Sequence, residues 1–245
     1  MLKWFQLGVR LLFTLGISQN YTIARLAEKE ALHYHDIIQQ NFLDTYYNLT
    51  LKTIMAVRFV YEYCDNVKYI LTTNDDVLVN LWVVIKTLRL YLDTRKPQKE
   101  VERTIFCNVF HHPKVIRDPR NKWYLSRKEF PNYYYNDYCA ELMIIIPSQL
   151  IRKMFEASKK ATFIKIADYF LTGILATKAK AKFKDFSTKA FNHKFKKSRS
   201  AFLLRTIYFQ ATESIEQAEE MWNQLKHKYS SGKKQYEEND EIKRF

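Results

Sequence analysis

The sequence predicts an α/β fold, and two observations support this prediction. The first is local: in the stretch Tyr69–Asn80, β-prone apolar residues lead into the adjacent acids Asp75 and Asp76, and a helix-like segment follows from Leu81 to Leu92. A strand that ends in polar side chains and leads into a helix is typical of open α/β sheets, which bind ligands at the carboxyl ends of their strands. The second is global, since 245 residues with 47% hydrophobic content suffice for one large domain with a full core.

The N-terminal third is predicted to alternate between strand and helix. Val9 to Leu15 is expected to be a buried strand closed by Gly16. The preceding apolar residues are too few for a membrane span and are interrupted by charges. Apolar residues at helical spacing predict a helix over Ile23–Ile38. A second helix should begin near Asn48 or Thr50, with one of these residues as its cap, and end near Cys64.

The rest of the chain is predicted to continue this alternation. The expected elements are a surface loop over Arg95–Glu102, strands over Thr104–Val109 and Leu142–Ile146, and helices over Gln149–Ala157, Asp168–Ala176 and Ser214–Tyr229. Pro147-Ser148 should start the first of these helices. The charged residues after Gly232 are expected to form a tail.

Asp75 and Asp76 are the first candidate site residues. Two carboxylates held at a strand end provide the hard oxygen ligands that suit Mg²⁺ or Mn²⁺, especially when a diphosphate completes the coordination. The alternative interpretation is a turn with two solvated acids, which is common for an isolated Asp-Asp pair.

The net charge of +14 raises the question of nucleic acid binding. Much of the excess lies between Lys178 and Arg205, and no RNA-binding aromatic signature, zinc-finger spacing or P-loop accompanies it. We therefore expect no nucleic acid partner, and interpret the segment as a solvated basic face or one that faces an anionic membrane. The three cysteines leave at least one unpaired within the monomer and do not define a pairing.

Several segments together resemble a known family. The segments that carry the resemblance are Asp36-Ile37, Phe42–Thr53, Asn74-Asp75-Asp76, Lys122–Ser126 and Ala167–Gly173. In this order, and over about Val9 to Phe186, they are similar to the β-1,3-galactosyltransferase and β-1,3-N-acetylglucosaminyltransferase family, the Fringe-like glycosyltransferases.

The resemblance implies a GT-A-like fold: a single Rossmann-like nucleotide-sugar-binding domain with a central, mostly parallel sheet. Residues 1–200 would form this domain without its N-terminal unit, and residues 201–245 a C-terminal helix and charged tail. Family members are anchored in the Golgi membrane and act on its lumenal side. The same location is expected here, through an anchor absent from this chain.

The resemblance also implies an activity, the inverting transfer of galactose or an N-acetylhexosamine from a UDP-sugar to a glycan hydroxyl of a glycoprotein or glycolipid. Asp168 would be the catalytic base, with a helix cap as its alternative role. Asp76 and His193 would hold Mn²⁺ (or Mg²⁺), although a histidine in a Lys-rich segment is commonly just exposed. Asn74 and Asp75 would lie near the donor.

The candidate substrate-binding residues lie between Lys122 and Glu141. They are Lys122, Trp123, Tyr135, Tyr138 and Glu141. Two positions depart from the family pattern, since Glu141 replaces a glycine and Ala167 replaces the first acid of a Glu-Asp pair. These departures, with Asn74 in place of an aspartate, support a second hypothesis: a catalytically impaired relative that binds a glycan or a partner.

Overall fold

A parallel strand–helix–strand unit is the first element of the fold. The computed structural model describes residues 8–92, 97–186, 191–192, 209–211 and 214–231. β1 (Phe13–Ile17) and β2 (Ile37–Leu43) pair in parallel and are joined by α1 (Tyr21–Tyr34). The Asn20 side chain caps α1 by accepting hydrogen bonds from the backbone N–H groups two and three residues on, at 2.9 and 3.2 Å. The carboxyl ends of both strands therefore lie at one edge.

The remaining elements alternate strands with helices. The first half of the chain contributes a 3₁₀ turn (Tyr46–Asn48), α2 (Leu49–Tyr63), β3 (Tyr69–Thr73), β4 (Val77–Val79), α3 (Leu81–Leu92), α4 (Gln98–Val101), β5 (Thr104–Cys107) and β6 (Val109–Phe110). The second half contributes β7 (Tyr138–Cys139), β8 (Met143–Pro147), α5 (Ser148–Ser158), a π-helix (Tyr169–Ala176), β9 (Lys182–Asp185), β10 (Phe191–Asn192), β11 (Phe209–Ala211) and α6 (Ile215–Ser231).

The central sheet has four strands in the order β3-β8-β5-β9. β8 is antiparallel to both of its neighbours, whereas β5 and β9 are parallel. β4 belongs to a separate sheet with β10 and β11, and β6 pairs with β7. This mixed α/β architecture, with a central sheet and flanking helices, confirms the predicted fold class.

β8 is the centre of the core because all five of its residues are buried. Ile144 and Ile146 pack on one side with residues of α5 and the π-helix, whereas Met143 and Ile145 pack on the other side with Val84 of α3. Successive side chains of a strand point to opposite faces, so a strand covered on both faces needs an unbroken apolar run. The sheet is therefore sandwiched between helices.

α6 packs against α3 through aromatic side chains. Trp82 stacks on Tyr229 with ring centroids 4.6 Å apart, and lies 5.4 Å from the ring of Trp222. The predicted helix over Ser214–Tyr229 is confirmed, with the Ser214 hydroxyl accepting a hydrogen bond from the backbone N–H of Gln217 at 3.2 Å. The tail predicted after Gly232 lies outside the described residues.

Two predictions for the N-terminal third are wrong in their boundaries. β1 begins at Phe13 instead of Val9, contains Gly16, and is half-exposed instead of buried. The helix predicted to reach Ile38 ends at Tyr34, because His35 adopts a left-handed conformation with φ of 55°. Ile37 and Ile38 continue the apolar spacing of α1, but they pair with β1, which satisfies their backbone hydrogen bonds. Strand pairing thus overrides the helical period.

Two further predictions need correction. The predicted loop before β5 contains α4. Pro97 starts this helix, because its ring fixes its φ and its carbonyl accepts a hydrogen bond from the backbone N–H of Glu100 at 2.8 Å. α2 begins where predicted, after Asn48, but neither predicted residue caps it. The Asn48 amide donates to the Leu43 carbonyl at 2.8 Å, and the Thr50 hydroxyl donates to the Ile164 carbonyl at 2.8 Å.

Gly16 marks a close approach between β1 and the end of β2. A Cβ atom at this position would lie 2.6 Å from the carbonyl oxygen of Phe42 and 2.9 Å from the backbone nitrogen of Asp44. We therefore expect Gly16→Ala to lower the free energy of unfolding by about 1–3 kcal/mol, as overpacking usually does. Urea unfolding followed by circular dichroism would measure this. An unchanged midpoint and slope would show that the strands do not approach so closely.

Candidate active site

Asp168 lies at the start of the π-helix, directly after a buried segment that includes Ile166 and Ala167. Its Oδ1 accepts a hydrogen bond from the backbone N–H of Tyr169 at 2.8 Å. The pKa of the Asp168 carboxyl is raised to about 7, mainly by burial; the hydrogen bond from Tyr169 opposes this shift, and the nearby Glu141 carboxylate adds to it. A carboxyl group with this pKa is suited to accept a proton near neutral pH.

The backbone around Asp168 is connected to β7 through Thr172. The Thr172 hydroxyl donates to the Asp168 carbonyl at 2.7 Å and accepts from the backbone N–H of Cys139 at 2.9 Å. Cys139 in turn forms a disulfide with Cys107 at the end of β5, while Cys64 is a free thiol. The first turn of the π-helix is therefore anchored to the central sheet.

Asn136 provides a second connection to the π-helix. It accepts a hydrogen bond from the Tyr169 hydroxyl at 2.7 Å and donates to the Gly173 carbonyl at 2.9 Å and to the Thr177 hydroxyl at 3.2 Å. A Cβ atom on Gly173 would lie 2.3 Å from the Tyr169 ring, so this position needs glycine. Asn136 and Gly173 together hold Tyr169, the neighbour of Asp168, in one orientation.

Asp75 and Asp76 lie in the exposed turn between β3 and β4. The turn is closed by a hydrogen bond from the backbone N–H of Val77 to the Asn74 carbonyl at 3.2 Å. The predicted arrangement of a strand, two acids and then a helix is present, since β3 ends at Thr73 and α3 begins at Leu81. The acids therefore sit at the carboxyl end of a strand in the central sheet, where α/β proteins bind ligands.

Glu141 interacts electrostatically with Asp76 and with Asp168. Burial raises the pKa of the Glu141 carboxyl, Asp76 raises it further, and Lys122 and Lys52 lower it. Since Glu141 also raises the pKa of Asp168, Glu141 lies within electrostatic reach of both Asp76 and Asp168. We call Asp76, Glu141 and Asp168 the carboxyl cluster.

An aromatic rim lies beside the carboxyl cluster. Trp123 and Tyr46 are joined by a side-chain hydrogen bond, and each exposes just over two-fifths of its surface, 44% and 43%. The Lys122 ammonium lies 4.6 Å from the Trp123 ring centroid and 5.2 Å from that of Tyr46. Glu141 and Asp168 both raise the pKa of the Tyr46 phenol, after the larger effect of burial. Of the predicted substrate residues, Lys122 and Trp123 are thus placed on an accessible surface near Asp168.

Tyr135 and Tyr138, in contrast, are buried, with 5% and 8% of their surface exposed. Both rings pack on Tyr169, with centroids 4.3 and 5.3 Å away. Burial is the main cause that raises the pKa of Tyr135 to about 12 and that of Tyr138 well above its usual range. This placement favours a packing role behind Asp168 over direct contact with a sugar.

The donor set suits a cation that is shared with a ligand. In the ranges that the structure describes, no group of three or more His, Cys, Asp or Glu side chains is arranged to hold a metal ion. Mg²⁺ and similar cations are nevertheless often held by only one or two carboxylates together with substrate phosphates. The exposed oxygens of Asp75 and Asp76 fit that pattern. His193, the other predicted ligand, lies outside the described residues.

A cavity of about 360 Å³ lies at the carboxyl ends of β1 and β2. Apolar Leu15 and Ile23 line it together with polar Gln39 and Asp44. Asp44 accepts a hydrogen bond from the backbone N–H of Gly16 and forms an ion pair with Lys52, both at 2.9 Å. Lys52, the ion-pair partner of this cavity-lining residue, also lowers the pKa of Glu141 and so lies within electrostatic reach of the carboxyl cluster.

The contacts of some site residues carried no signal in the sequence. Thr172 lies within a segment that carried the family resemblance, but it and Asn136 act by hydrogen bonds over sequence separations of 33 and 37 residues, which no local pattern shows. Tyr46 and Lys52 lie within the segment that carried the family resemblance, but their proximity to Glu141 follows only from folding.

Residues 3–187 match the model of a family described as galactosyltransferase. Mouse beta-1,3-galactosyltransferase 1 is 29% identical over 217 residues, which are 89% of this chain and 64% of that protein. Mouse beta-1,3-galactosyltransferase 5 is 30% identical over 181 residues, 74% of this chain and 56% of that protein. For human beta-1,3-galactosyltransferase 5 the identity is 29% over 159 residues, with shares of 65% and 49%. The chain thus spans about half to two thirds of the length of these relatives.

The family match and the mixed α/β fold with its central sheet together define the class of protein, a GT-A-like glycosyltransferase domain. Since the family model covers well over half of the sequence, the chain belongs to the galactosyltransferase family. Within the ranges that the structure describes, no helix has both the length and the apolar content to cross a bilayer.

Proposed function

We propose that this protein transfers galactose from UDP-galactose to a hydroxyl group of a glycan, with inversion at the anomeric carbon. The observation that carries the proposal is the placement of Asp168, a half-buried carboxyl group whose pKa is raised to about 7, beside an accessible aromatic rim. The relatives named above are beta-1,3-galactosyltransferases, which supports galactose as the sugar and a β-1,3 linkage as the product.

In this mechanism the Asp168 carboxylate accepts the proton of the acceptor hydroxyl as its oxygen attacks the anomeric carbon. The bond between that carbon and the diphosphate oxygen breaks, and the electron pair leaves with UDP. Thr172 and Asn136 keep the π-helix, and with it Asp168, in a fixed position. Trp123 and Tyr46 offer flat faces on which an acceptor sugar ring can stack.

Asp76, with Asp75, would hold a divalent cation, Mn²⁺ or Mg²⁺. When bound, this cation supplies the positive charge that stabilises the diphosphate leaving group. The cavity at the ends of β1 and β2 is the proposed place for the nucleoside, because it lies at the carboxyl ends of two parallel strands and has both apolar and polar walls. The Cys107–Cys139 disulfide supports an oxidising compartment, in agreement with a lumenal location in the Golgi.

The donor site is tested by UDP binding to the wild type and to Asp76→Ala. We expect Mn²⁺-dependent binding that falls more than about tenfold in the variant, since even indirect partners of metal ligands contribute 10–100-fold to metal affinity. Isothermal titration calorimetry with and without Mn²⁺ gives the affinities. Asp65→Ala, which removes an exposed carboxylate from another turn, is the matched control.

A folded wild type that does not bind UDP would overturn the proposal. Mn²⁺-dependent binding without any transfer would instead support the second function, a catalytically impaired relative that binds a glycan or partner. The observation that favours this alternative is Ala167, a buried apolar residue directly before Asp168 where the family pattern has an acid.

A further inference from the structure

Glu141 occupies a turn that is held from two sides. On one side, Cys139 donates its backbone N–H to the Thr172 hydroxyl at 2.9 Å, which connects the turn to the start of the π-helix. On the other, the Leu142 carbonyl accepts a hydrogen bond from the Thr73 hydroxyl at 2.8 Å. Thr73 ends β3, directly before the turn that contains Asp76. The backbone of Glu141 therefore lies between the two ends of the carboxyl cluster.

The Glu141 carboxylate has lost much of its hydration without gaining a donor. The residue is half-buried, and among the described residues its carboxylate accepts no hydrogen bond and forms no ion pair. Burial raises the pKa of the Glu141 carboxyl and Asp76 raises it further, whereas Lys122 and Lys52 oppose this shift and favour the ionised form. A desolvated carboxylate without a partner is costly in a folded protein. Such a group is a candidate for binding a ligand.

The proposed function indicates which part of the substrate would meet this carboxylate. In an inverting displacement, the attacking oxygen, the anomeric carbon and the leaving oxygen lie in line. If the diphosphate is bound near Asp76 and the acceptor hydroxyl near Asp168, the donor sugar must lie between them. Glu141 is the member of the carboxyl cluster nearest this middle position, because its turn is hydrogen-bonded to Thr172 on the side of Asp168 and to Thr73 on the side of Asp76, and it interacts electrostatically with both acids.

We propose that Glu141 is a specificity-determining residue that binds hydroxyl groups of the donor hexose. Each carboxylate oxygen can accept a hydrogen bond from a sugar hydroxyl, and such charge-assisted bonds are stronger than neutral ones. This inference rests on the proposed function, since it assumes that a UDP-hexose is the donor. It also gives a role to the side chain that stands where the family pattern has a glycine.

The test compares UDP with UDP-galactose as ligands, in Mn²⁺ and without acceptor, by isothermal titration calorimetry. We expect the wild type to bind UDP-galactose more tightly than UDP. In Glu141→Gln, UDP affinity should be unchanged, whereas the advantage of UDP-galactose should fall by about tenfold or more, as expected for losing hydrogen bonds to a charged group. Glu156→Gln, which removes an exposed carboxylate on α5, should behave as the wild type.

Each other outcome overturns the inference in a distinguishable way. If UDP binds but UDP-galactose keeps its advantage in Glu141→Gln, Glu141 does not bind the sugar and the proposed donor site stands. If the variant loses UDP binding as well, Glu141 acts on the metal or the diphosphate instead. If a folded wild type does not bind UDP, the proposed function fails and this inference fails with it. Near-ultraviolet circular dichroism verifies folding, and Glu141→Ala provides a second variant should Glu141→Gln not fold.

Discussion

Asp168→Asn should reduce galactosyl transfer by about 10²–10⁴-fold, the usual contribution of a general base. Asparagine has nearly the same shape and can still accept the hydrogen bond from the Tyr169 N–H, but its amide cannot take the acceptor proton. The loss should appear in kcat, with UDP affinity unchanged, because Asp168 does not contact the nucleotide in the proposed arrangement. A transfer assay with UDP-galactose and a panel of glycan acceptors would measure kcat and KM.

The pH dependence of kcat/KM in the wild type provides an independent test of the role of Asp168. The carboxyl group of Asp168 has a pKa of about 7, so kcat/KM should rise with pH and level off above that value. Asp65→Asn, at an exposed turn, is the control and should keep the wild-type profile. Transfer by Asp168→Asn at the wild-type rate would remove Asp168 from the mechanism.

Asp168→Asn should also stabilise the protein above neutral pH. Because burial raises the pKa of Asp168 from 3.8 to about 7, the native state binds more protons than the unfolded state between these values. The contribution of Asp168 to the free energy of unfolding of the wild type is therefore fully present at about pH 4 and below. It decreases as the pH rises to about 7 and is constant above that pH. A shift of about three units corresponds to at most about 4 kcal/mol.

Asparagine does not ionise, so Asp168→Asn should not show this loss. The free energy of unfolding of the variant, relative to the wild type, should therefore increase between pH 4 and pH 8.5 by up to that amount. Urea unfolding at several pH values gives both curves, and the difference between them removes the contribution of all other titrating groups. A difference that stays constant with pH would show that Asp168 is ionised in the native protein with an ordinary pKa.

Together these results would separate catalysis from stability at one position. A residue that is costly to the fold and needed for transfer is typical of active sites, which combine burial with a shifted pKa. If Asp168→Asn stabilises the protein at high pH but the wild type shows no transfer, the impaired-relative hypothesis would be favoured. The half-buried carboxyl group of Asp168 would then be a remnant of the site, as the apolar residue at position 167 suggests.

Local patterns in the sequence predicted most of the elements that form the sheet and its helices. α3 is correct to the residue, the predicted strand before the acidic turn is present, and α5 begins at the predicted proline–serine step, whereas β4 between the acids and α3 was not predicted. These segments have clear hydrophobic periods and strong start signals, which act over a few residues. The family resemblance, carried by short ordered motifs, was likewise a property of the sequence alone and is confirmed by the family match.

Other features depended on contacts between distant parts of the chain. α1 ends at Tyr34 because the residues after it pair with β1, and the pairing of Cys107 with Cys139 joins residues 32 positions apart. Tyr135 and Tyr138 were expected to contact substrate, but the approach of Tyr169 buries both. The sequence around Tyr135 and Tyr138 does not determine whether their rings are buried or exposed, because their burial depends on packing against Tyr169.

The sequence by itself thus determined the fold class, the order of the elements and the family, because periodicity, caps and short motifs are local. Tertiary structure alone decided the properties of the candidate site. The raised pKa values of Asp168 and Glu141 arise from burial and from charges brought together by folding. Desolvation and Coulomb interactions depend on distances in space, and these distances are set only when β3, β7 and the π-helix meet.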